Sequence, residues 1–334
     1  MLVFHPEYLR HMQSPWHVES PARLKAVVAG MESHGYMLGS LKPEAANIDD
    51  IQRVHRPSYV EYLKDVGEGP LDPDTEMHPE TFDIALLAVG GTVLAAEKAV
   101  QERRGYMALV RPPGHHAGPD YAGGFCYLNN VAVAAHRLLD KLGRVAILDF
   151  DAHHGNGTCE IFHDSAKVLY VSTHQYRIFP GTGPAEDVGE GEGEGFTVNI
   201  PFTSGCGDAS FRMAMEEVVE PVVEQFRPGA ILVSLGVDGH YMDPLTSLAL
   251  SSRGYLDLME STVRLARETC GGRLAISLEG GYHPPALAEV LTATEALLRG
   301  ESAEVEMNEV RDRDCVGRGI VQKVKEIHGH YWKL

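Results

Sequence analysis

The sequence predicts an α/β fold: a single domain over residues 1–334, in three layers (α/β/α) around a mainly parallel sheet. Three observations carry this. Short apolar runs alternate with segments of helical period from residue 106 onward, the pattern of strands buried on both faces and joined by crossover helices. No linker, repeat or low-complexity block divides the 334 residues, 44% of which are apolar, enough for one large core. Residues suited to chemistry follow the apolar runs repeatedly, as expected where ligands gather at the carboxyl ends of parallel strands.

Taken in order, a short strand is expected at residues 2–5. A helix begins near Pro21, since proline is tolerated in a first turn, and runs to about residue 33 with Leu24, Val27, Val28 and Met31 on one stripe. Arg23 on it reads as a surface charge. Residues 66–80 carry five acidic residues and three prolines and read as a long exposed loop. Residues 81–100 read as a helix whose Gly90-Gly91 pair lets backbones pack closely. Strands are expected at 106–110, 145–150, 168–172, 196–200, 230–235 and 274–278. Helices are expected at 129–141, 209–226, 254–269 and 285–298, and a C-terminal helix over about 318–332 packs on the domain. The run from Gly189 to Gly195, alternating Gly and Glu, reads as a solvated turn.

Composition narrows the function. A formal charge of -18 disfavours direct nucleic-acid binding, which rests on Lys and Arg meeting phosphates. No basic segment precedes an apolar run at the N-terminus, and no apolar stretch approaches the ~18 residues of a membrane span. A soluble, cytoplasmic protein is the expectation. The five cysteines are odd in number and never spaced C-x-x-C, which argues against a disulfide framework and against a thiolate zinc site.

The most informative stretch runs from Leu148 to Gly157. The apolar strand 145–150 feeds it, and strand alternation puts Asp149, Asp151 and His153 on one face at the sheet rim. Two carboxylates and an imidazole converging there are costly without a cation, and a divalent metal is the obvious candidate. Asp238, just after strand 230–235, completes a set of two carboxylates and one imidazole in Asp151, His153 and Asp238. Such a set leaves a coordination position open, as catalytic sites do, and does not choose between zinc and ferrous iron.

Other strand ends supply further groups. His115 and His116 offer two imidazoles for general acid and base work, made unlike if Asp149 and Asn156 are their hydrogen-bond partners. Tyr282 follows two glycines, and its phenol is placed to donate to an oxyanion. Phe125 and Phe179, both in glycine-flanked loops, are candidate walls of an apolar slot.

Arg111-Pro-Pro-Gly-His-His, Gly124-Phe-Cys-Tyr-Leu-Asn-Asn, Asp149-Phe-Asp-Ala-His-His-Gly-Asn-Gly, Phe179-Pro-Gly-Thr-Gly and Glu279-Gly-Gly-Tyr occur in that order. The series resembles the histone deacetylase family. The opening His17-x-Glu-x-Pro-x-Arg, the closing Val324-Lys-Glu-Ile-His-Gly-His-Tyr-Trp and Asn156 in place of Asp are similar to its class II branch, which holds bacterial and archaeal deacetylases and acetylpolyamine amidohydrolases. The resemblance implies the arginase/deacetylase fold and a zinc-dependent deacetylase, a hydrolase of the C–N bonds of linear amides. It implies zinc on Asp151, His153 and Asp238, His116 as general base and His115 as its electrostatic or acid partner. It also implies Tyr282 as oxyanion donor, the Gly124 carbonyl receiving the amide N–H, and Phe125 with Phe179 lining the tunnel. A structural potassium ion is implied near Asp149, Asp151, His153, Ser172 and Thr173, partly through backbone carbonyls.

Arginase, with the same fold, holds two manganese ions, and its extra carboxylates would fall at Gly155 and Gly236 here. A second metal there would lack its ligands. The implied substrate is an acylated lysine in a peptide or protein. The alternative is a small acylated amine such as an acetylpolyamine, although Leu245 stands where a polyamine-selective relative has Glu. A non-catalytic acyl-lysine binding module is a more distant alternative. Acyl length, oligomeric state and homo-oligomer formation are open at this point.

Overall fold

The computed structural model describes residues 1–334. Its centre is a sheet of β1 (Leu2–Val3), β4 (Gly105–Ala108), β5 (Val145–Asp149), β6 (Val168–Gln175), β7 (Thr197–Phe202), β8 (Ala230–Leu235) and β9 (Leu274–Leu278). All seven pair in parallel, in the order β1-β4-β9-β8-β5-β6-β7. From β5 through β9 every strand residue is buried, which is why these segments read as unbroken apolar runs and not as alternating ones.

Helices Thr81–Glu102 and Asn130–Leu142 pack on each other, the first against β4 and β9 and the second against β5 and β8. A second group is formed by Ser252–Cys270, Pro284–Arg299 and Pro21–Ser33, with contacts to β8 and β4. The expected α/β fold with helices flanking a parallel sheet is therefore present. Strand register brings the site together: Asp149 is level with Ser172 on one side and Ser234 on the other, and Leu235 is level with Leu278. Whatever follows β5, β8 and β9 emerges at one rim.

Several local expectations need correction. Residues 66–80 are not simply loop: β2 (Gly69–Asp72) and β3 (Thr75–Met77) form an antiparallel hairpin. Asp72 accepts the Asp74 N–H at 2.8 Å across the turn, and Thr75 and Met77 are buried. Helix 209–226 contains a π-helical stretch, Met215–Val219, between Asp208–Ala214 and Glu220–Phe226. The glycines flanking Asn156 conceal a short helix, Asn156–Phe162.

Gly90 and Gly91 do sit at a close approach, Gly90 against the backbone of Glu44 and Gly91 against Tyr8 and Val110. The C-terminal helix is Arg318–His328, and it packs through buried Val321 and Val324 on β7. Beyond it, Trp332 Nε1 donates to the Gly195 carbonyl at 2.8 Å and Tyr331 Oη to Glu194 at 2.7 Å. The Gly-Glu run is thus half packed: its glutamates are exposed, while Gly193 and Gly195 are buried.

Candidate active site

Asp149 closes β5, and the alternation continues into the loop, so Asp151 and His153 follow it at the rim. Asp238 arrives three residues after β8. Ligand atoms of Asp151, His153 and Asp238 all lie within 4.8 Å of one another. His153 Nδ1 is 2.7 Å from Asp238 Oδ2 and 3.2 Å from Asp151 Oδ1. Backbone donors fix the outer oxygens, with Gly280 N–H to Asp151 Oδ2 at 2.8 Å and Ala152 N–H to Asp238 Oδ1 at 2.9 Å.

Glycine at 280 is a steric requirement. A β-carbon there would lie 2.5 Å from Asp151 Oδ2 and 2.7 Å from Asp238 Oδ2.

The donor set fits a divalent ion. Burial raises the Asp238 carboxyl to about 6, helped by the neighbouring Asp151 charge. Burial opposes ionisation of Asp151 too, but His115 and His153 hold it low. For His153, burial works against the proton and the two carboxylates outweigh it, raising it to about 10. An imidazole between two buried carboxylates thus takes up the positive role a metal would fill. A β-carbon at Gly155 would lie 2.7 Å from Tyr170 Oη, and one at Gly236 would lie 2.5 Å from Asp151 Cγ. Side chains for a second, arginase-type metal are therefore sterically barred, not merely missing.

His115 and His116 lie beside this set with ring centroids 4.0 Å apart. They are unlike, as expected from their partners. His115 Nδ1 faces Asp149 Oδ2 at 3.1 Å, and His116 Nδ1 faces Asn156 Oδ1 at 2.8 Å. Burial disfavours charge on both. Asp149 and Asp151 overcome it for His115, which rises to about 10; His116 is driven well below the usual range by burial and by the adjacent His115 and His153. Their surroundings push the two imidazoles in opposite directions, His115 toward the charged form and His116 toward the neutral one.

Tyr282, His116 and His153 open on one cavity of about 470 Å³, whose walls include Gly124, Phe125, Phe179 and Leu245. Phe179 packs edge-on to His116 with centroids 5.0 Å apart, and Phe125 lies edge-on to Tyr282 at 5.8 Å. Gly124 has φ +55°, and a β-carbon there would lie 2.7 Å from the Phe179 ring and against His116. Phe125 also has positive φ, 69°, a strained conformation held by its N–H donating to Thr75 Oγ1 at 3.0 Å. The β2–β3 hairpin therefore props the tunnel wall.

Leu245 and Phe179 are half exposed at the mouth, and Trp16 projects there almost fully solvated, 95% exposed. Ser172 and Thr173 lie within β6, where Ser172 Oγ pairs with His174 Nδ1 at 2.9 Å. The Thr173 hydroxyl has no partner.

Arg23 is the clearest departure. It is 1% exposed, not a surface charge. It donates to Glu19 Oε1 at 2.9 Å, to the Gly281 carbonyl at 2.6 Å and to the Glu279 carbonyl at 2.5 Å. Glu19 is also gripped by Arg111, at 2.5 and 2.8 Å. Glu279 in turn accepts the Gly114 N–H at 2.7 Å and the Ser234 hydroxyl at 3.0 Å. Asp243 takes the Tyr282 N–H at 2.6 Å. Glu19, Arg23, Arg111, Glu279 and Asp243 thus belong to the site through these contacts, which periodicity and spacing do not reveal, although the first four lie in motifs that stand out in the sequence.

A histone deacetylase domain model matches residues 17–298. A probable deacetylase from Archaeoglobus fulgidus is 41% identical over 99% of this chain and 98% of its own length. A histone deacetylase-like amidohydrolase from Pseudomonas aeruginosa is 38% identical over 83% of this chain and 74% of its own. Among solved structures, the HDA15 HD domain superposes with a TM-score of 0.90 at 32% identity, covering 99% of this chain and 94% of that one.

Proposed function

The chain belongs to the histone deacetylase family, and from that premise we propose that it is a zinc-dependent amidohydrolase removing acetyl or another short acyl group from lysine side chains. The observation that carries the reading is one cavity lined by His116, His153 and Tyr282, with the ligand atoms of Asp151 and Asp238 grouped within 4.8 Å of those of His153. Asp151, His153 and Asp238 would hold the metal, zinc or ferrous iron. Such an ion supplies Lewis-acid polarisation of the amide carbonyl and of water.

The chain's own groups do the rest. Phe125 and Phe179 grip the apolar stem of the acyl-lysine, and the Gly124 carbonyl receives the amide N–H. His116, neutral and aligned by the Asn156 amide, accepts the proton of the attacking water. His115, an imidazolium beside Asp149, supplies positive charge and a proton for the leaving amine. Tyr282 donates its O–H to the negative charge growing on the carbonyl oxygen. We place a structural potassium ion near Asp149, Asp151, His153, Ser172 and Thr173, a reading supported by the register pairing of Asp149 with Ser172.

Trp16, Phe179 and Leu245 give the mouth apolar surface that favours a lysine carried on a peptide or protein, and Leu245 itself offers no charge to a polyamine, the one carboxylate lining the cavity being Asp74. Five free, buried cysteines suit a reducing compartment such as the cytoplasm. No helix is long and apolar enough to cross a membrane. Comparison of kcat/KM on acetyl-lysine peptides with that on acetylputrescine and acetylspermidine tests the substrate. At least tenfold preference for the peptide is expected; the reverse order replaces this reading with acetylpolyamine deacetylation.

A further inference from the structure

A second cluster of metal-ligating side chains lies outside the catalytic cavity. Cys159 and His163 are four residues apart where helix Asn156–Phe162 ends, so they share one face. Asp187 approaches from the segment before the Gly-Glu run. Ligand atoms of Cys159, His163 and Asp187 all lie within 4.8 Å of one another. His163 Nε2 is 2.6 Å from Asp187 Oδ1, and on the ring's other side Nδ1 faces Glu190 Oε1 at 3.9 Å.

We propose that Cys159, His163 and Asp187 form a second metal site, taking a divalent transition ion of zinc's borderline softness. Thiolate, imidazole and carboxylate are zinc's three usual donor types, whereas calcium and magnesium take oxygen alone. Zinc bonds of about 2.0–2.3 Å require ligand atoms some 3.3–3.8 Å apart, so the cluster closes with side-chain shifts on the order of 1 Å. Glu190 Oε1, 3.9 Å from Nδ1, is beyond hydrogen-bond reach there, and a side-chain rotation would bring it to the Nδ1 proton in a carboxylate–histidine–metal arrangement that leaves Nε2 for the metal.

An ordinary His163–Asp187 ion pair explains two members of the cluster but not the Cys159 sulfur within 4.8 Å of the ligand atoms of both. Cys159 is buried, while His163 and Asp187 are half exposed and give the ion a route from solvent. Burial pushes the thiol's pKa up, so binding must expel its proton: Cys159–SH and M²⁺ give a metal thiolate and H⁺, and affinity falls as pH falls. Folding thus assembles a thiolate site that C-x-x-C spacing alone does not reveal. The occupied site would tie the helix that begins at Asn156, the partner of His116, to the chain around Asp187.

Cobalt(II) separates this site from the catalytic one, because Asp151, His153 and Asp238 contain no sulfur. Titration of metal-stripped full-length protein with cobalt should give a thiolate-to-cobalt charge-transfer band in the near ultraviolet, saturating at one equivalent of this site. The band should vanish in Cys159→Ser and persist in Cys126→Ser, which removes the thiol nearest His115. His163→Ala, at a half-exposed position, keeps the thiol and should weaken cobalt binding tenfold or more. No band in the unaltered protein, a band that survives Cys159→Ser, or unchanged affinity in His163→Ala overturns the assignment.

Discussion

The Arg23 guanidinium carbon lies 4.8 Å from the centroid of the Tyr282 ring, and Arg23 Nε donates to the carbonyl of Gly281, the residue just before Tyr282. A buried cation on the first long helix therefore sets both ring and backbone of the proposed oxyanion donor. Removing one partner of a buried ion pair costs about 3–5 kcal/mol, because Glu19 is left less well compensated. Arg23→Met should lower stability by that order, and in folded protein should reduce kcat more than it raises KM. A variant with normal kcat would separate Arg23 from Tyr282 function.

Tyr282→Phe tests the donor itself. Oxyanion donors of this kind contribute about two to three orders of magnitude in kcat. The variant should lose that much turnover while its metal content, measured by elemental analysis, stays level with the unaltered protein. Near-normal turnover would remove the hydroxyl from the mechanism.

Asn156→Asp tests the inequality of the two histidines. The amide at His116 Nδ1 becomes a carboxylate, which favours imidazolium and raises the His116 pKa. Since the base must be neutral, the acid limb of the kcat/KM profile should move to higher pH. An unmoved or downward-shifted limb would contradict His116 as the base.

Two histidines away from the site predict acid sensitivity. His55 Nδ1–H donates to the Gly118 carbonyl at 2.8 Å, and Nε2 accepts the Asn129 N–H at 2.9 Å, so only the neutral ring satisfies both. Burial lowers His55 to about 4 and lowers His328, whose ring nitrogens have no partner, to about 4 as well. Their unfolded value is near 6.5, so the unfolded chain binds more protons between these limits. The stability they contribute is intact above pH 6.5 and is lost as pH falls through about 4, at up to ~1.4 kcal/mol per pH unit each. Urea midpoints measured from pH 7 to 4.5 should fall, and His328→Leu should flatten the curve. An unchanged slope in that variant would count against the His328 contribution.

The strand ends were legible because burial on both faces leaves an apolar run, and Asp149, Asp151, His153, Asp238 and Tyr282 break or follow such runs. Arg23 was not legible from periodicity, since a charged residue on an amphipathic helix ordinarily faces water, and only the fold brings Glu19 and the Gly281 carbonyl to it. The β2–β3 hairpin was hidden by acidic and proline-rich composition, which describes its solvated edge and not the buried Thr75 and Met77. Helix Asn156–Phe162 was masked by glycines required for close approach, Gly155 to Asp149 and Gly157 to the Ala117 carbonyl.

The account rests on one divalent ion held by Asp151, His153 and Asp238, and the direct measurement is kcat/KM on an acetyl-lysine peptide before and after metal removal. Chelator-stripped protein should be inactive, one added equivalent of zinc beyond any bound at Cys159 should restore turnover, and Asp238→Ala should stay inactive under both conditions. Stripped protein that deacetylates as fast as the reconstituted enzyme would contradict it.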